Sequence, residues 1–552
     1  MMFRLLALVL LIYSIVLTVQ AEVHDQRAID SDPLTAKSPI APKLEGLGDH
    51  HIDVTTNNPE SQYFFDQGFR LFLGFNHSEA LRSFKEAIRL DNDNAMAYWG
   101  WALVLGPNLN LPMQSAVIEQ TNHAIKMAVS LKGKVSELEQ GYIESLAVRY
   151  SEEKDADRKA LDLAYKVSMK KLMSKYPENH DVATLYVASV MNTNPWDYWY
   201  NDGTPKGQTA EILEILDHVT TKKPKHAGAH HYKIHLVEAF RPELAEKNAD
   251  QLGGLMPGAG HLVHMPSHIY MRIGRYQDSY DANMLAAQTD EKYIAQCNNQ
   301  GIYPLLYYPH NVHFLAWSAM YMGKSKDALE AAMKVAYPEN IDATKVMQVF
   351  RAQPMFVMLR FGMWDQMLAE KKPKKEDQFM IGVWHYGRGL AHINQGNIGK
   401  AKTELENLKT IHSGEMISKK TGRPTTNKKL LIIAQAVLSS EIYGKQGDFE
   451  KALSQIDKAV RLEGGLRYAE PPSWYFPTRH ILGALLMDAD RAAEAEVVYW
   501  QDLAHNPENG YALYGLKLSL EAQGKDKTAK VITERFNKAW VGADTSLTSS
   551  RY

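Results

Sequence analysis

Cysteine is all but absent from this sequence. Cys297 is the only one in 552 residues, which excludes an internal disulfide and leaves packed apolar surface to hold the fold. An excess of one charge is missing too. Lys+Arg total 62 against 64 Asp+Glu with no strongly basic block, so nucleic acid is not an expected partner. Beyond Val19 no apolar run approaches the roughly 20 residues of a membrane span. Nor is there a nucleophile elbow, a phosphate loop or a dinucleotide fingerprint. Catalysis, if the chain performs any, is left to a metal or to histidine acid–base chemistry.

The apolar run that does occur is at the start. MMFRLLALVLLIYSIVLTVQAE places Arg4 before a charge-free stretch from Leu5 to Val19, with Val19 and Ala21 at cleavage-type positions ahead of Glu22. Residues 1–21 therefore read as a secretory signal, and the V-x-A ending favours cleavage over an uncleaved anchor. The expected product is exported, periplasmic or secreted, with no stable membrane span. Residues 22–58, rich in Pro, Asp, Thr and Gly, read as an extended lead-in.

From Gln62 the text turns helical. Gly68, Ala80, Phe84 and Ala87 fall at tetratricopeptide spacings, small residues where two helices cross and a large one filling the groove to the next pair. Punctuation places further units near Ala95, His180, His226, Gly260, Pro309, Gln348, Gly382, Ile433, Phe476 and Gly510, with a weaker one between Glu137 and Tyr176. The chain resembles the tetratricopeptide superfamily. That resemblance implies an all-α, right-handed superhelical solenoid of antiparallel helix pairs, about 12 units over residues 59–542, followed by a disordered tail at 543–552. The period lengthens at 106–112, 193–207 and 294–308, and insertions in repeat arrays tend to share one face and carry binding.

Histidine is the residue in surplus, 21 in all. KHAGAHHYKIHLVEAF carries His226, His230, His231, His235 and Glu238; GHLVHMPSHIY carries His261, His264 and His268; YPHNVHF carries His310 and His313. His230 and His264 are 34 residues apart, one repeat, and the two H-x-x-H pairs are 49 apart, one repeat plus an insertion. In the superfamily's register His230, His264 and His313 share the groove-facing fifth place of the first helix, as does His480, while His261 and His310 hold the second and His268 the ninth. Converging imidazoles with a carboxylate suit zinc, copper or iron at about 2.0–2.2 Å. His231, His235 and Glu238 form a stripe beside the groove, available as ligands or as their orienting partners. Against this stands the bland reading, in which each histidine is a satisfied polar residue and Glu238 pairs with Arg272 one repeat on. Pro266 either opens a helix or kinks one.

Aromatic and polar residues cluster at the unit boundaries: Trp99 and Asn108, Trp196, Asp197 and Trp199, Arg272 and Trp317, and Glu470, Trp474, Tyr475, Arg479 and His480. Such walls suit a small organic or peptide ligand, and equally they plug gaps in the period. Together the segments AMAYWGWALVLGPN, GHLVHMPSHIYMRIGRY and YPHNVHF resemble a group of exported, largely bacterial tetratricopeptide proteins; the resemblance implies no activity. Where many of that group place cysteines this chain has Asn94 and Ala97, so no thiolate role carries over. Three expectations remain: a groove-binding protein with a histidine-rich metal centre, a metal-dependent hydrolase-like enzyme built on the same residues, or a metal-free scaffold taking a peptide or protein.

Overall fold

The computed structural model describes residues 25–153, 155–297, 303–338, 346–413 and 424–552, so the leader expected at 1–21 lies outside the described residues. Within them the chain is all-α. Helices follow one another and pack mostly against their neighbours in the chain, and no strand forms beyond a single bridge between Trp199 and Pro205. No described helix is long and apolar enough to cross a membrane. Two compact units are present, Met1–Ile269 with Leu285–Tyr308, and Tyr270–Met284 with Pro309–Tyr552.

Asparagine starts the first three helices of the array. Asn58, Asn76 and Asn94 each accept a first-turn N–H, opening Pro59–Leu73, His77–Leu90 and Ala95–Leu105. The pattern glycines then set the spacing. A methyl at Gly68 would lie 2.8 Å from the Phe84 ring, and one at Gly100, on the next pair, 2.4 Å from it. The ring is thus a wedge between two backbones that lack Cβ atoms. The second unit repeats the device with Tyr499 between Gly483 and Gly515, where added methyls would meet the ring at 2.4 and 2.2 Å. Gly100→Ala is therefore expected to destabilise by about 1–3 kcal/mol through overpacking, read as a lower urea midpoint at constant m. An unchanged midpoint would mean that Phe84 does not set this spacing.

Helices begin at Ala95, His180, Gly260, Gln348 and Gly510, where the punctuation places unit starts. Ile433 is a correction: it lies inside the long helix Pro424–Lys445, which Pro424 opens. The lead-in needs correcting as well, since Gln26–Asp30 is a short helix capped by Asp25. Its carbonyls hold the Lys85 ammonium, at 2.7 Å from Ala28, 3.0 Å from Ile29 and 2.8 Å from Ser31. Burial pushes that amine down to about 8. Residues 543–552 are not a loose tail. Ser550 donates to the His480 carbonyl at 2.7 Å, Arg551 pairs with Asp488 at 2.6 Å, and Tyr552 stands edge-on to Trp364. A polar text hid the partners waiting on the second unit.

Candidate metal centre

The helix Ala227–Val237 packs against the first helix of the array. At Gly228 a methyl would lie 2.5 Å from Leu73, so only glycine lets the helix sit against the end of Pro59–Leu73. That approach brings the His231 Nδ1 to 2.7 Å from the Leu73 carbonyl, to which it donates. The proton is thereby committed to Nδ1, and Nε2 keeps its lone pair. Nε2 is buried and has no hydrogen-bond partner. Burial also pushes the His231 pKa down to about 4, so the ring is neutral at ordinary pH.

His235 follows one turn later, its ring 4.8 Å from that of His231, and His261 from the helix Gly260–His264 stands 5.1 Å from His231. One nitrogen from each of the three lies within 4.8 Å of the others. A single ion bound at about 2.0–2.1 Å draws such atoms to about 3.4 Å, a closure small side-chain rotations provide. Phe75 roofs the group, with ring centres 4.3 Å from His231 and 5.6 Å from both His235 and His261. It does so from a left-handed backbone, φ 58°, unusual for a bulky residue. Trp196, φ 64°, sets its ring edge-on to His235 at 5.3 Å.

Glu238, buried at the end of the same helix, faces two imidazoles. One oxygen lies 3.5 Å from His235 Nδ1 and the other 3.1 Å from His268 Nδ1. His264 and His268 then face each other, Nε2 to Nε2, at 3.0 Å. Pro266 accounts for their placement: the helix Gly260–His264 stops at Met265 and a new one, Pro266–Ile273, opens with proline in its first turn.

The three insertions meet at this point. Trp196 donates to the Leu109 carbonyl at 3.0 Å, Asn110 to the Tyr307 hydroxyl at 3.2 Å, and Tyr307 stands edge-on to His261 at 4.9 Å. Asn108 folds the first insertion by accepting from the N–H groups of Asn110 and Leu111. Phe75 and Tyr307, both against the imidazoles, also line a cleft with Asn108, Leu111 and Tyr303.

Other residues singled out in the sequence have surroundings of their own. His230 is engaged on both nitrogens, Nε2 with the Pro224 carbonyl at 2.8 Å and Nδ1 with Asn248 at 2.9 Å, and burial lowers its pKa. Trp99 and Trp199 are buried and donate to the carbonyls of Tyr142 and Leu236, while Asp197 pairs with Lys206 near the surface. In the second unit His310 stands edge-on to Phe314 at 5.0 Å, and His313 is buried edge-on to Phe350 at 5.8 Å. Arg272 pairs with Glu470 at 3.7 Å, and burial pushes that carboxyl up to about 8. Trp317, Trp474 and Tyr475 are core; Tyr475 stacks on Phe356 at 4.4 Å. Arg479 is half-buried, its charge holding down the carboxyl of Glu463, which burial pushes up to about 7. His480 bridges Arg360 and Asp502 at 3.1 and 3.0 Å.

A second group went unrecognised in the sequence. His50 and His226 both reach the Asp181 carboxylate, at 2.8 and 3.2 Å. His226 Nδ1 accepts the Ala229 N–H as a helix cap, so its Nε2 carries the proton and donates to Asp181. Burial alone would raise the Asp181 carboxyl, but hydrogen bonds from His226 and His50 outweigh it and hold it well below the usual range. This group is a clamp that fastens the lead-in rather than a set of free ligands. Cys297 is buried, which pushes its thiol up to about 12 and makes it a poor nucleophile.

The sequence matches no protein-family model and no curated protein. Among solved structures, a tetratricopeptide repeat protein from Parabacteroides merdae is 15% identical over 63% of this chain and 98% of its own, at a TM-score of 0.30. The human IFIT1 dimer with m7Gppp-AAAA is 14% identical over 89% and 92%, at 0.31. Yeast Tom70 is 16% identical over 88% and 95%, at 0.24. At such scores nothing about ligand or partner passes from these proteins to this chain.

Proposed function

We propose that this protein is an exported helix-repeat protein that binds a first-row transition ion, zinc or copper, through His231, His235 and His261. The observation that carries the reading is the buried Nε2 of His231, its lone pair set by the bond from Nδ1 to Leu73 and no hydrogen bond made by it, with ring nitrogens of His235 and His261 within 4.8 Å. A buried acceptor left without a donor costs about 1–3 kcal/mol, which coordination to a cation removes. Neutral imidazole is the form a metal requires, and here burial supplies it. An all-nitrogen set under an aromatic roof favours zinc or copper over calcium or magnesium, which take oxygen. Export rests on the apolar leader that ends at Ala21.

The test is titration of chelator-treated protein with Zn(II), metal content being read after dialysis. Wild type is expected to retain zinc, and His231→Ala to retain one equivalent less while its metal-free form still melts cooperatively. A wild type that retains none overturns the reading. The leader is checked separately by N-terminal sequencing of exported protein, expected to start at Glu22.

A further inference from the structure

We propose that an acidic face of the second unit, built by Glu441 and Asp488 beside Trp364, is a docking surface for an extended peptide carrying arginine next to an aromatic residue, and that the chain's own last residues hold it shut. Nothing in this depends on the histidine cluster or on an ion bound there. Glu441 is buried on the helix Pro424–Lys445, and burial pushes its carboxyl up against the opposing charge of Arg551. Asp488, nearer the surface, ends the helix Thr478–Asp488. Arg551 spans the two, 2.6 Å from Asp488 and 3.6 Å from Glu441. Tyr552 donates to Glu441 at 3.4 Å and sets its ring edge-on to Trp364 at 5.3 Å, centre to centre. The main chain is held too, since Arg360 donates to the Arg551 carbonyl at 3.3 Å.

The tail is an occupant of this face rather than an element of the array. It forms no helix and is fastened near its two ends. At its start Asp544 accepts from the N–H groups of Ser325 and Lys326, at 2.7 and 3.1 Å, and Thr545 donates to the Gly323 carbonyl at 2.9 Å. At its end Ser550 donates to the His480 carbonyl at 2.7 Å, and Arg551 and Tyr552 meet the two carboxylates. Between these anchors residues 546–549 make no hydrogen bond to any described residue. A segment held by so few contacts opens at far less cost than the unit unfolds. Opening leaves Glu441 without Arg551, and a buried carboxylate stripped of its cation is strongly disfavoured. The exposed face therefore suits a replacement guanidinium, whose planar fork serves two carboxylates, with an aromatic ring to lie beside Trp364. An extended segment of a partner supplies both. While attached, the tail competes at an effective concentration on the order of millimolar, so the partner enters as the tail leaves.

The probe is a fluorescently labelled peptide of residues 545–552, TSLTSSRY, added to the full chain and read by anisotropy. Arg551→Ala in the chain is expected to free the face, so that this variant binds the peptide about tenfold or more tightly than wild type, whose own tail competes. A peptide with alanine in place of its arginine is expected not to bind, and adding Glu441→Gln to the Arg551→Ala chain is expected to weaken binding about tenfold or more. A cooperatively melting Arg551→Ala chain that ignores the peptide overturns the proposal, because the tail is then a fixed part of the fold. If Arg551→Ala does not fold, a protease site placed within residues 546–549 of the otherwise unaltered chain takes its place. A cut chain that stays folded and takes up the labelled peptide supports the proposal; one that unfolds, or takes up none, overturns it. Dimers of wild type that disappear in Arg551→Ala also overturn it, since the occupant is then the tail of a second copy.

Discussion

Between pH 6.5 and 3 the metal-free protein is expected to lose of the order of 4–5 kcal/mol of stability through His313 alone. The ring is fully buried, and burial pushes its pKa down from 6.5 to about 3, the neighbouring His310 adding to the effect and a hydrogen bond with Gln353 opposing it. In the unfolded chain the same imidazole takes its proton near pH 6.5. Across the interval the unfolded state therefore binds one proton more, and each unit of falling pH favours it by about 1.4 kcal/mol. The contribution is fully present above 6.5 and gone once pH falls through the folded value. Carboxylates protonate in the same range, so the His313 share must be isolated by difference. In urea titrations at half-unit pH steps, His313→Gln is expected to flatten the stability curve between pH 6 and 4 by one proton's worth of slope. Parallel curves for the two proteins would show that His313 protonates freely in the folded chain.

That histidine shows where the sequence could be read and where it could not. The repeat period is carried by small residues at crossings, and Gly68 and Phe84 do in space what their spacing announces. His261, His264 and His268 lie on one side of their segment, as i, i+3, i+7 requires, despite the break at Met265. The neighbouring helix departs from the rule. A uniform register sends His230 to the groove and leaves His231 beside it, but the contact of Gly228 on Leu73 fixes the helix so that His231 meets the cluster and His230 turns to Pro224 and Asn248. No one-dimensional pattern encodes that rotation, because its cause is a residue more than 150 positions away. Phe75 was illegible for a related reason: its role depends on a left-handed backbone with no glycine or asparagine to announce it. The insertions were easier, since broken periods rich in aromatics mark a place where something other than packing is being built.

Replacing one oxygen of Glu238 by nitrogen is expected to weaken metal binding about 10–100-fold, although Glu238→Gln changes neither size nor shape. One carboxylate oxygen accepts from Nδ1 of His235 at 3.5 Å, and the other stands 3.1 Å from Nδ1 of His268. An amide has one acceptor and one donor end. Whichever ring meets its NH2 group must offer a lone pair at Nδ1, which moves the proton to Nε2 and withdraws that nitrogen from coordination. The variant can satisfy one histidine only by disabling the other. Zinc titration should therefore show the three-histidine position weakened, with the metal-free fold unchanged by circular dichroism. Glu238→Ala offers neither end and should relax the His235 tautomer, weakening the same position. Affinity equal to wild type in Glu238→Gln would mean that the His235 ring proton is not held by this carboxylate, and with it would go the tautomer on which the ion position depends.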